Sequence, residues 1–254
     1  TISAAAAGKQ VFCEKPMALN VADAQAMIDA CEAAGVKLMI GQVLRYSSPF
    51  VRIIEQVRSG KFGEPCAMQV SRLGGAWSGK YATTWRMEKD KVGGPLFEVS
   101  AHEIDFIRCI LGEATSVYAA MNNFVNPDAD YEDYAAVTMN FEGGRSATLL
   151  AGHCAYQTAY DGKIYCTEGT LLLSAQTGQL VYTIKGEEPV TVPYSELGAG
   201  VEPGVQREVR EFVEAVIGDT EVPIPGIEGL RNTEIAEAAG ISAVENRVVA
   251  LPLA

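Results

Sequence analysis

The rhythm of apolar positions along this chain changes once, near Arg45, and the change separates two kinds of predicted element. Before it, "ISAAAAGKQVFCEKP" reads as a helix end closed at Gly8, then a short strand over Gln10–Cys13. In "NVADAQAMIDACEAAGVKLMIGQ", Asn20 is placed to cap a helix in which Ala22, Ala26, Met27, Ala30 and Ala34 recur at helical spacing. Gly35 can end that helix, and "VKLMIG" follows as a second short apolar strand. Strand, helix and strand at this spacing predict a parallel βαβ unit.

After "RYSSPF" the pattern is different. One helix, "FVRIIEQVRSG", is followed by predicted strands over Cys66–Leu73, Ser116–Val125, Tyr134–Phe141, Ser146–His153, Lys163–Thr167, Thr170–Ser174, Leu180–Ile184 and Val190–Val192. Tight glycine turns ("FEGGRS", "TEGT", "QTGQ") separate several of them, as in a mainly antiparallel sheet. Helices are predicted over Leu96–Leu111, Pro203–Ile217 and Gly226–Asn246. The expected architecture is therefore α/β and α+β. Residues 1–45 form the C-terminal part of a Rossmann-type domain, and residues 46–254 form an α+β domain with one large, mainly antiparallel sheet.

Composition narrows the partners. With 254 residues the chain can bury a sizeable core, and its net charge of -12 opposes nucleic acid. No apolar run is long enough to span a bilayer, so no membrane partner is expected. Six cysteines are scattered with no Cys-x-x-Cys pair, which suits reduced core thiols in a cytoplasmic protein. An open sheet face needs a cover, so a homo-oligomer, dimer or tetramer, is expected through the large sheet.

Two stretches carry candidate chemistry. In "GGPLFEVSAHEIDFIRCILG" the residues Glu98, His102, Asp105 and Cys109 fall on one strip of a helix, opposite a broad apolar arc. Glu98 and His102 are spaced i, i+4, and a carboxylate beside an imidazole raises its pKa. That pair suits general acid/base work, although the same spacing also decorates exposed helices. Glu103 falls within the apolar arc without explanation. One histidine and two carboxylates do not close a metal shell, so no metal is expected. In "VFCEKPMALN", Lys15 stands at the carboxyl end of a parallel strand, where ligands bind, and Pro16 fixes the turn. Lys15 there can reach a substrate hydroxyl, or it can be a flexible lysine on a surface turn. His153 ends a predicted strand and is a candidate to face the pocket, against a satisfied structural histidine. Tyr156 joins it as a candidate substrate contact, against a place in the core or rim for it and for Tyr160.

Together these stretches resemble a known family. "AGKQVFCEKPMALNVADAQAMIDACEAAGVKLMIGQVLRY" resembles the E-K-P segment of Gfo/Idh/MocA oxidoreductases (glucose–fructose oxidoreductase and inositol dehydrogenase among them). "TTWRMEKDKVGGPLFEVSAHEIDFIRCILGEATSVYA" resembles their W-R and histidine helix, "TEGTLLLS" their glycine turn, and "IPGIEGLRNTEIAEAAGISAVENRVVALPL" their closing helix. The resemblance covers nearly the whole chain in order. It implies NAD- or NADP-dependent hydride transfer at a sugar or cyclitol hydroxyl carbon. Carried over, Lys15 and His102 serve the hydroxyl proton, and Glu98 stands where the family commonly has Asp. The cofactor would meet Glu14, Lys15, Pro16, Trp85 and Arg86. Asp105 would be a second polar support on the helix, and Arg45, where the two parts join, would line the substrate pocket with Asp105, His153 and Tyr156.

The glycine-rich G-x-G-x-x-G that cradles a dinucleotide pyrophosphate does not occur in a fitting setting; "GGAW" and "VGGP" come too late. A βαβ piece with nothing before it makes no stable sheet alone. The expectation is a chain without the front of its nucleotide domain, or one whose sheet edge is supplied from elsewhere, with impaired or absent turnover by itself. Two other readings remain open: redox-assisted glycoside hydrolase or lyase chemistry with the same residues, and a non-catalytic substrate-domain fragment.

Overall fold

The computed structural model describes residues 1–76 and 84–253. Trp77 of the "GGAW" stretch lies outside the described residues. The chain begins with α1 (Ile2–Ala6), β1 (Val11–Glu14), α2 (Val21–Ala33) and β2 (Leu38–Gly41). β1 and β2 pair in parallel, Val11 against Leu38 through Glu14 against Gly41. Asn20 caps α2 as expected, its side chain accepting from the Asp23 amide at 2.8 Å. The buried face of α2 differs from the expected one. Ala24 and Cys31 are buried, whereas Ala22, Ala26 and Ala34 are exposed. Alanines at helical spacing mark a helix but do not choose its face, because each brings little apolar area.

The rest is built on one sheet. After α3 (Phe50–Arg58) come β3 (Pro65–Leu73), α4 (Lys89–Val92), α5 (Pro95–Glu98) and α6 (Ala101–Leu111). Next are β4 (Ala114–Asn122), β5 (Tyr134–Phe141), β6 (Ser146–Gly152), β7 (Ala159–Cys166), β8 (Gly169–Ser174), β9 (Gln179–Ile184) and β10 (Val190–Pro193). The chain closes with α7 (Tyr194–Leu197), α8 (Gly204–Ile217), α9 (Gly226–Glu245) and β11 (Val249–Ala250). The strand order is β10-β9-β8-β7-β3-β6-β5-β4-β11, antiparallel throughout except for the parallel β3–β6 pair. This is the mixed architecture expected, a parallel Rossmann-like unit followed by a large, mostly antiparallel sheet.

Strand alternation sets the core. On β3, Met68 and Val70 point inward; on β5, Ala135, Val137, Met139 and Phe141 do so. α3, α6 and α9 cover that inner face with Ile53, Ile54, Phe106, Ile107, Leu111 and Ala239. A second core lies around β1 and β2, with Ala24 and Cys31 of α2 and Ile224 ahead of α9. The Ile40 amide donates to the Ile224 carbonyl at 2.9 Å, so the segment before α9 runs beside β2. Among the described residues no helix is long and apolar enough to cross a membrane.

Gly152 ends β6 where the sheet hands over to His153. Its φ is +152°, and an added Cβ would stand 2.1 Å from the Asp133 carbonyl oxygen. Gly152→Ala is expected to cost about 3 kcal/mol in urea unfolding, because backbone has to shift. A loss under about 0.5 kcal/mol would contradict this packing.

Candidate active site

The carboxyl ends of β1 and β2 bring Lys15 and Gln42 to the first turn of α6. Lys15 Nζ donates to the carbonyl of Glu98. The buried Gln42 places its Oε1 3.3 Å from His102 Nδ1. When Nδ1 carries the ring proton it donates to this amide oxygen, and Nε2 is left as a proton acceptor.

The helix expected over Leu96–Leu111 is broken. Pro95 starts α5, Glu98 ends it, and Val99 and Ser100 form a turn before α6. The Ser100 amide reaches back to the Pro95 carbonyl at 2.9 Å. In a continuous helix the Glu98 carbonyl would accept from the His102 amide. The break releases it for Lys15. The i, i+4 placement of Glu98 beside His102 is therefore corrected, and the Glu98 carboxylate instead lies 3.3 Å from Arg86.

The expected rise in the His102 pKa is corrected too. Burial pushes it down to about 4, the Lys15 and Arg72 cations push the same way, and Asp105 opposes them. His102 is a neutral imidazole at neutral pH.

Asp105 and Arg45 do not face a pocket as free ligands. Asp105 is wholly buried; Arg45 Nε donates to its Oδ2 at 2.8 Å and Nη2 to its Oδ1 at 2.7 Å. Asn232 Nδ2 adds a bond at 3.0 Å, and Arg45 also reaches Glu228 at 2.6 Å. Arg108 joins from the next helical turn, donating to Asn232 Oδ1 at 2.7 Å and to Glu113 Oε1 at 2.8 Å. The network ties the segment after β2 to α6 and α9. A buried carboxylate needs such partners.

Glu103 now has an account. It is 1% exposed and hydrogen-bonds Tyr160, and burial raises its carboxyl pKa. Burial, reinforced by the neighbouring Glu103 carboxyl, holds the Tyr160 hydroxyl well above the usual phenol range. The Tyr160 ring stacks on Phe50 at 5.7 Å, and the Arg72 guanidinium lies 4.2 Å over it. Beside this stack is a cavity of about 520 Å³, lined by Arg72, Val99, His153, Thr158, Tyr160 and Gln176 among others. His153 is buried on its wall; burial takes its pKa down to about 4, and a hydrogen bond with the Gly75 backbone opposes that.

Trp85 and Arg86 stack on each other, the guanidinium 3.9 Å over the indole, and Arg86 connects through Glu98 to the Lys15 contact. Glu14 is exposed at the end of β1, and Pro16 is partly buried one residue past Lys15. Tyr156 is not gathered with the others. The chain leaves the sheet between β6 and β7, and Tyr156 stands 98% exposed near Phe124 and Pro127. The sequence reading missed Gln42 and Arg72 as site residues and favoured a place in the core or rim for Tyr160. The rule that singles out Lys15, a polar residue past a parallel strand, applies equally to Gln42. Inward alternation through Met68 and Val70 also points to Arg72.

Residues 1–42 match a family model described as an oxidoreductase family with an NAD-binding Rossmann fold. Residues 50–172 match the GFO/IDH/MocA C-terminal domain. D-apiose dehydrogenase of Paraburkholderia graminis is 28% identical over 98% of this chain and 68% of its own length. The 2,7-anhydro-N-acetylneuraminate hydratase of Escherichia coli is 29% identical over 69% of this chain, and the chain spans 48% of that relative. Among solved structures, aldose-aldose oxidoreductase from Caulobacter crescentus, complexed with glycerol, superposes with a TM-score of 0.88 at 25% identity. That match covers 98% of this chain and 74% of the other.

With only two histidines, the ring protons can be followed individually by NMR. The His102 midpoint is expected near 4, and Lys15→Met is expected to raise it. A midpoint near the ordinary ~6.5 in the wild type would contradict the buried, cation-flanked placement.

Proposed function

This chain belongs to the GFO/IDH/MocA family of oxidoreductases, and from that premise we propose that it serves NAD- or NADP-dependent oxidation or reduction at a sugar or cyclitol hydroxyl carbon. One observation carries the reading: Lys15 and His102, remote in sequence, converge at the carboxyl ends of two parallel strands. Residues 1–45 act as the nucleotide part and residues 46–254 as the substrate part.

The donor set suits the nicotinamide end of such a cofactor. It consists of an ammonium, a neutral imidazole and an amide, linked through Glu98 to the Trp85–Arg86 stack. We assign Glu14, Lys15, Pro16, Trp85 and Arg86 to holding it. When bound, NAD or NADP supplies the hydride acceptor or donor for the carbon that bears the hydroxyl. His102 Nε2 takes the hydroxyl proton, or returns it in the reverse direction. The Lys15 ammonium donates to the same oxygen and stabilises charge developing there. Gln42 fixes the imidazole, and Glu98 is a positioning residue through its carbonyl. Arg45 and Asp105 hold the frame, and His153 lines the substrate cavity.

A second reading uses the same residues for redox-assisted elimination or hydration with no net nicotinamide turnover; the hydratase relative favours it. The outer face of the sheet, where Tyr118, Tyr165, Leu172 and Val190 are exposed, supports a homo-oligomer of this chain. Six free cysteines support a reducing, cytoplasmic setting.

The test begins by titrating the chain with NADH and NADPH, followed by nicotinamide fluorescence. A panel of sugars and inositols is then assayed with Lys15→Ala and His102→Ala. Because no glycine-rich pyrophosphate loop occurs in a fitting setting in this sequence, cofactor binding is expected to be weak, and wherever turnover is measurable each variant is expected to lose about 10²–10⁴-fold in kcat. The ratio to wild type is read, so slow absolute turnover is no obstacle. Variants as active as wild type, or cofactor bound to saturation with no oxidation of any panel member, would overturn the proposal. Tightly retained cofactor without net turnover would favour the second reading.

A further inference from the structure

Arg72 occupies an unusual place. It is the third inward position on β3 after Met68 and Val70, both buried in the core. The strand thus continues its apolar face with a guanidinium at the cavity wall. Arg72 is only half-buried there, so its guanidinium is open to an incoming anion. Among the described residues, no carboxylate lies within ion-pair distance of Arg72. The remaining residues, 77–83 and Ala254, include no Asp or Glu.

Four groups feel the Arg72 charge: His153 and Tyr160 on the cavity wall, and His102 and Glu103 on α6. Both histidines are neutral at neutral pH, and Glu103 is committed to Tyr160 in a fully buried setting that disfavours its charged form. Lys15 acts on His102 and Glu103 together with Arg72. In a chain of net charge -12, this wall is locally cationic. The Arg72 guanidinium is also preorganised. It rests on Tyr160, whose ring is backed by Phe50 and whose hydroxyl is held by Glu103. A planar fork fixed this way matches a planar carboxylate. Thr158 on the same wall offers a hydroxyl suited to sugar hydroxyls, and Gln176 braces it by donating to the Thr158 carbonyl at 2.8 Å.

We propose that Arg72 is an anion-recognising residue of the cavity and that the substrate is a sugar acid, an aldonate or uronate, whose carboxylate pairs with this guanidinium. The inference rests on the oxidoreductase reading above for the rest of the site. It assigns the end of the substrate remote from the proton-transfer pair.

The experiment compares matched ligands on the 254-residue chain by calorimetric titration, with NADH present in every arm so that cofactor charge cancels. D-glucuronate is set against D-glucose, D-gluconate against sorbitol, and glucose 6-phosphate is added as a non-planar anion. The acids are expected to bind at least about tenfold more tightly than their neutral partners, with the difference shrinking as salt rises. Arg72→Gln should remove that preference, and Arg72→Lys should keep only part of it. Circular dichroism shows whether each variant is folded, and the wild-type comparison needs no variant. Equal binding of acid and neutral partners overturns the carboxylate subsite while leaving the sugar-oxidoreductase reading in place. Preference for the phosphate over both carboxylates also overturns it. Acid-selective binding that depends on Arg72, with NADH bound to saturation yet no nicotinamide-linked oxidation, supports the subsite and counts against the oxidoreductase reading. Binding of no sugar at all overturns both.

Discussion

The structure depends on how the carboxyl group of Asp105 is partnered in the interior. It has no contact with water, and Arg45 and Asn232 take up its oxygens. Those partners come from the segment after β2 and from α9, so one buried charge joins three elements. Removing one partner of such a pair costs about 3–5 kcal/mol, because the other charge stays buried. The joint has a positional result. It pins α6 against the end of the parallel pair, and the N-terminal turn of α6 carries His102 to Gln42 and Lys15.

Desolvation then sets the charge states at the site. His102 and His153 both lose their protons well below neutral pH, each chiefly through burial. A proton acceptor next to an ammonium is useful only when neutral, and here burial keeps it neutral against the opposing charge of Asp105. The sign of the accompanying pH effect follows from linkage. The folded pKa near 4 lies below the unfolded value of about 6.5. Between those values the unfolded chain binds more protons, so the stability tied to the neutral ring is complete above that window and is lost as pH falls through it.

Much of this was legible in the sequence, but unevenly. Asn20 announced its helix through cap chemistry, and Tyr134–Phe141 announced its strand through strict alternation. Lys15 was found because the end of a parallel strand is a place with chemical meaning. The break at Val99–Ser100 was not legible, since the released Glu98 carbonyl is satisfied by Lys15 from 83 positions away. The depressed His102 pKa was invisible for a related reason: spacing shows which residues neighbour on a helix, whereas burial depends on what packs over it. Arg45 read as a pocket ligand because it sits at the junction of the two parts, and Asp105 because it shares a helix strip with His102, yet the two bond each other. Tyr156 read as a candidate substrate contact beside His153, yet the chain leaves the sheet between them and carries it into solvent.

The most direct measurement of the central claim is the NMR pH titration of the His102 ring in Arg45→Lys beside the wild type. Lysine keeps the charge but loses the two-pronged grip on Asp105. If the ion pair seats α6 and thereby buries His102, the variant lets water in and the His102 midpoint rises toward its ordinary value, while that of His153 stays where it was. A folded variant with an unchanged His102 midpoint would contradict the account, because the site would then be held in place by something other than this buried pair.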